Sequence, residues 1–99
     1  MELLIIKGTT KHCDLIPAFF RELLRQDESE GTKLFYVYGQ TIRDTFEAHE
    51  DHQLKSPFFV RIDLIIELMH RIDAYAKAGF YFGSRTSNIN EFGYWPIEQ

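Results

Sequence analysis

A single cysteine, Cys13, stands in a chain of 99 residues. One thiol cannot close an internal disulfide, which excludes a disulfide-stapled scaffold and points to a reducing compartment. Long apolar runs are missing as well. Leu3 to Ile6 is too short for the core of a signal peptide, and Glu2 precedes it where a basic region would be needed. The longest apolar-rich stretch, Pro57 to Ala78, is interrupted by Arg61, Asp63, Glu67, His70, Arg71, Asp73 and Lys77, so it does not read as a membrane span. These absences together give a cytoplasmic address and no membrane partner as expectations.

An excess of positive charge is also lacking. Fifteen acids against 11 bases give a net charge of −4, which disfavours a general nucleic-acid binder because phosphate neutralisation needs a basic stripe. No phosphate-binding, dinucleotide-binding or nucleophile-elbow glycine motif occurs. Gly79 and Gly83 bracket Phe80-Tyr81-Phe82 as turn and strand punctuation. There is no internal repeat, linker or low-complexity tract.

Core material, by contrast, is ample. Hydrophobic residues make up 44% of the chain, with nine Phe and five Tyr among them. Each large aromatic buries about 150–250 Å². A chain of this length buries roughly two-thirds of its unfolded surface, so residues 1–99 read as a single domain that needs no metal or disulfide.

Leu3–Ile6 reads as a buried strand. Asp14 is a candidate N-cap, with Pro17 tolerated in the first turn, and Ile16, Phe19, Phe20, Leu23 and Leu24 recur at helical spacing. After a polar break at Asp27–Gly31, the β-branched and aromatic run Lys33–Tyr38 predicts a second strand closed by Gly39. Thr41 then caps a short surface helix. Ser56 and Pro57 form a helix start and Gly79 a stop, giving about 22 residues, or about 33 Å. Phe58, Ile62, Ile65, Ile66, Met69 and Ile72 would be its buried face. The tail predicts two strands around a polar loop, Ser84 to Asn90, with Pro96 marking the last strand as an edge. The resulting expectation is an α+β, two-layer sandwich: a small mixed sheet of three to four strands packed by two or three helices, in the order β-α-β-α-α-β-β. A parallel pairing of the first two strands would make a right-handed crossover.

Chemistry-bearing residues are few. His49 and His52, three apart among Glu47, Glu50 and Asp51, have a spacing that can ligate a metal if they share a helix face; the plainer reading is a solvated, charged helix end. His12-Cys13 at a helix start could be an activated thiol, but no orienting group or oxyanion site accompanies it, so a structural cysteine is expected. His70 beside Glu67 reads as a surface pair. Cofactors: none is implied, and no catalytic residue is assigned.

Two broader features remain. Asp27, Glu28 and Glu30, then Asp44, Glu47, Glu50 and Asp51, form two acidic patches that could steer a basic partner. Tyr81, Tyr94 and Trp95 lie near Arg85, a composition common in interface hot spots. The functional expectation is a small, non-enzymatic protein-binding module of inhibitor or immunity type that recognises a basic protein. Alternatives are an enzyme or ligand-binding domain with a pocket between the sheet and the Ser56–Ala78 helix, lined by Tyr36, Tyr38, Tyr81 and the histidines, and a homodimer paired through the C-terminal edge strand. Single-strand nucleic-acid binding through Phe80, Tyr81 and Phe82 is the remaining, least favoured alternative.

Overall fold

The structure, a computed structural model, describes residues 2–97; Met1 and the end of the expected tail, Glu98 and Gln99, lie outside the described residues. Strand β1 (Leu3–Lys7) leads into helix α1 (His12–Gln26) and helix α2 (Glu28–Glu47). A single 3-10 turn (Asp51–Gln53) precedes helix α3 (Phe58–Asp73), and a hairpin of β2 (Phe80–Arg85) and β3 (Asn88–Pro96) completes the order. The three strands form one sheet in the order β1-β3-β2, with both pairings antiparallel. The α+β class is therefore observed. The mixed sheet is not, because β1 pairs with the C-terminal hairpin, so no parallel crossover exists.

Helix α1 follows its apolar periodicity. Ile16, Phe19, Phe20 and Leu23 are buried on one face, and Phe19 meets the sheet edge-on at Phe82 and Phe92. The helix starts at His12, ahead of Asp14, which instead accepts the Thr9 hydroxyl at 2.6 Å. That earlier start moves Pro17 beyond the first turn, where its missing N–H leaves the Cys13 carbonyl without the usual i+4 donor.

Lys33–Tyr38 is not a strand. It lies inside α2, whose buried residues Gly31, Leu34, Thr41, Ile42 and Thr45 recur at helical spacing. Asp27 caps the helix by accepting the Ser29 N–H at 3.0 Å. The local β preference of this run yields to packing against α1. At Gly31 a Cβ would stand 2.4 Å from the Leu24 side chain, so the two helices approach closely there. The break expected at Gly39 survives as a kink: Tyr38 has φ −117 and ψ 18. Thr41 is consequently buried within α2 and caps nothing.

Helix α3 is shorter than expected, 16 residues or about 24 Å. Pro57 holds the N-cap position, and the Ser56 hydroxyl donates to Asp44 at 2.9 Å instead of capping α3. The face toward the core carries Arg61, Leu64, Leu68 and Ile72, while Phe58 and Ile66 are exposed. An apolar arc this broad leaves the choice of buried side to its neighbours. Leu64, Leu68 and Ile72 join Phe82, Phe92 and Tyr94 in one core cluster, so the expected pocket between sheet and helix is filled.

After α3, Gly79 adopts φ +86 in the turn into β2. The hairpin turns at Thr86-Ser87, shorter than the loop expected over Ser84–Asn90. Pro96 does not mark an edge, because β3 is the central strand. Pro96 is its last residue, beyond Tyr94, whose partner Leu3 begins β1, so no ladder bond from β1 is required of it.

Candidate interaction surface

Most of the acids singled out in the sequence are engaged inside the fold. Asp51 accepts the His12 and Cys13 N–H groups at 3.0 Å each and so caps α1 from 38 residues away. Burial pushes its carboxyl up, but these bonds outweigh that and hold it below the usual range. Asp44 accepts the Lys55 and Ser56 amides at 2.9 and 3.0 Å, pinning the chain before α3. Asp27 takes the Tyr75 hydroxyl at 2.7 Å as well as the Ser29 hydroxyl at the same distance, and is lowered to about 2. Glu30 pairs with Arg71 at 3.1 Å and Lys33 at 3.2 Å, and Glu50 with Lys11 at 2.7 Å. Glu28 and Glu47 are exposed.

The histidine pair does not share a helix face. Helix α2 ends at Glu47, His49 lies in the connector and His52 in the 3-10 turn. Among the described residues, no group of three or more His, Cys, Asp or Glu could hold a metal ion. Cys13 is buried, and burial with the adjacent Asp51 raises its thiol to about 11, opposite to an activated nucleophile. His12 is buried too. Its Nδ1 accepts the Arg61 Nε–H at 2.9 Å, and its ring lies 5.2 Å from that of Phe58. His70 has no role in the Glu67 pair, which forms with Arg71 at 2.8 Å.

The aromatic tail is largely structural. Trp95 is buried, its Nε1–H donating to the Gly83 carbonyl at 3.0 Å, and Arg85 stacks over its ring at 4.6 Å. Arg85 also reaches Glu2 and Glu91, each at 3.1 Å. Tyr94 donates its buried hydroxyl to Glu22, which also holds Arg25 and Gln26. Burial and that carboxylate push the Tyr94 hydroxyl strongly up. Tyr81 is half-buried, its hydroxyl on the Ser84 carbonyl at 2.9 Å.

Among the helices, the most exposed large apolar side chains lie elsewhere, on α2 and the start of α3. Tyr36 is 88% exposed, Val37 74% and Phe59 69%. Tyr36 and Val37 border an open groove of about 810 Å³ at the α2 kink, with Gly39 and Gln40 beside them and Val60 of α3 opposite. A second depression shares Gln40, Thr41, Arg43 and Val60 and runs on toward Glu47 and Lys55. Arg43 stacks on Phe35 at 5.2 Å at the rim. The sequence reading missed this face because it placed Tyr36 and Val37 in a strand; read as helix, Lys33, Tyr36, Val37 and Gln40 fall on one side, opposite Leu34 and Ile42. The signal was the helical spacing of Gly31, Leu34, Thr41, Ile42 and Thr45.

No protein-family model, curated protein or solved structure matches this chain.

Proposed function

We propose that this chain is a small, non-enzymatic protein-binding module of inhibitor or immunity type, and that its partner docks on the face shared by α2 and the start of α3. The observation that carries this reading is the exposure of Tyr36 and Val37 beside the groove at the α2 kink. Large apolar side chains held on rigid helices lose little conformational freedom on binding, and aromatic anchors dominate interface energetics. The net charge of −4 supports a basic partner through long-range attraction. Because Asp27, Asp44 and Asp51 already serve as caps and turn anchors, close contact falls to Tyr36 and Val37, with Val60 across the groove and Glu47 in the adjoining depression.

Capture from the native host, using wild-type chain and a Tyr36→Ser/Val37→Ser variant as baits, tests the reading. A basic protein recovered at low salt by the wild type and lost from the variant supports it. Recovery of the same proteins by both baits, or of none, overturns it.

A further inference from the structure

The sheet has two outer edges, and the fold treats them differently. On β2, Asp73 at the end of α3 accepts the Phe82 N–H at 2.8 Å, so an arriving strand meets a carboxylate instead of an open donor. Among the described residues, strand β1 pairs only with β3, and Leu3 and Leu4 on it are 45% and 42% exposed. The Gly8 N–H donates to the Asn90 carbonyl at 3.0 Å. Alternation then turns the N–H and carbonyl of Lys7 away from β3, toward the outer edge.

The residues along this edge read Glu2-Leu3-Leu4-Ile5-Ile6-Lys7, an acid at one end, a base at the other and four apolar residues between. Laid antiparallel on its own copy, with the two-fold axis between Leu4 and Ile5, the segment sets Glu2 opposite Lys7 of the second copy, and Lys7 opposite its Glu2. Leu3 then faces Ile6. We propose that β1 is a self-recognition edge through which two copies of this chain pair antiparallel into one continuous six-stranded sheet. The two charge pairs, in each of which Glu2 shares its carboxylate with Arg85 of its own chain at 3.1 Å, favour this direction and register, since opposite charges directly across a ladder attract and like charges repel. Isologous pairing of this kind closes at two copies. The irregularity between Leu4 and Ile6 sits at the centre of the pairing and limits the ladder bonds formed. A contact of six residues a side falls short of the roughly 1,000 Å² of a stable interface, so the dimer is weak. This edge is distinct from the α2–α3 face, and the pairing does not depend on that face having a partner.

Sedimentation equilibrium of the full chain, from about 10 μM to about 1 mM, reads the association directly. The weight-average mass is expected to climb toward that of two chains. Glu2→Lys and Lys7→Glu each turn two attractions into repulsions and are expected to weaken association about tenfold or more. Circular dichroism checks that both variants fold. Mixed in equal amounts they regain complementary ends and are expected to recover the dimer. Wild type that stays monomeric throughout overturns the proposal. So does association that is indifferent to both reversals, or that is lost on Tyr36→Ser instead, or a mixture no more associated than its components.

Discussion

His12 accepts the Arg61 Nε–H through its Nδ1 at 2.9 Å, and this buried bond ties the start of α1 to the start of α3. The same Arg61 donates to the Ser56 carbonyl, so one guanidinium also holds the connector that leads into α3. Asp51 binds the backbone of His12 and Cys13 from the other side. The start of α1 therefore meets the 51–61 segment at one polar joint, packed against the Phe58 ring.

The joint makes stability depend on pH. A proton can enter His12 Nδ1 only if the Arg61 N–H leaves it. Burial lowers the His12 pKa below its ordinary 6.5, Asp51 opposes this, and Arg61 adds to it. With the folded-state value depressed, the unfolded chain binds more protons in the window just below 6.5. Stability is therefore full above pH 6.5 and falls as pH drops toward the folded-state value. Urea midpoints measured from pH 8 to 5 should be level in the upper part of the range and decline below 6.5. His12→Gln, which keeps an acceptor but does not titrate, should remove that decline; parallel declines in both proteins would contradict the assignment.

A second, lower acid window belongs to the capping carboxylates. Asp27, Asp44 and Asp51 are all held below their ordinary 3.8, so their contribution is present above that pH and is lost as pH falls through the folded-state values. Asp51→Ala deletes the acceptor for two N–H groups of α1 and is expected to cost about 1–2 kcal/mol at neutral pH. Chemical denaturation of the variant beside wild type gives this directly.

Cys13 should be inert in the folded protein. Its thiol is raised from 9.0 to about 11, which lowers the thiolate fraction at pH 7 by about 100-fold before burial restricts access. Iodoacetamide is expected to label it at least that much more slowly in the native state than in urea. Equal rates would mean that the start of α1 is open.

Gly93 is expected to be intolerant of any side chain. A Cβ there would stand 2.2 Å from the Leu3 carbonyl oxygen, a backbone atom that cannot move without pulling β1 off the sheet. Gly93→Ala should cost at least about 2 kcal/mol. Gly83, whose Cβ would find its nearest neighbour at 3.6 Å, is the matched control and should lose far less as Ala.

How the fold was written in the sequence varies along the chain. The extended conformation of β1, the buried face of α1 and the two C-terminal strands were legible because each has one strong local pattern and neighbours that agree with it; the expected burial of β1 was not met, because it lies at the sheet's edge with Leu3 and Leu4 exposed. Lys33–Tyr38 was not, because its β-branched and aromatic content favours a strand while the spacing of Gly31, Leu34 and Ile42 favours a helix, and packing on α1 decides. The buried face of α3 was misjudged for a related reason: with Leu64, Ile65, Leu68 and Met69 on adjoining sides, periodicity alone does not select the core side. The roles of Asp44 and Asp51 depend on partners 11 to 39 residues away, and composition offered only their charge. The exposed α2–α3 face followed from the helical assignment of Tyr36 and Val37 and was hidden until that was made.

Hydrogen–deuterium exchange, with and without the protein captured by the wild-type chain, tests the proposed working face most directly. The account predicts slowed exchange of backbone amides over residues 35–43 and 57–63 on binding, with residues 80–95 unchanged. Protection confined to the hairpin around Tyr81 and Arg85, leaving the α2 kink exchanging as in the free chain, would contradict it.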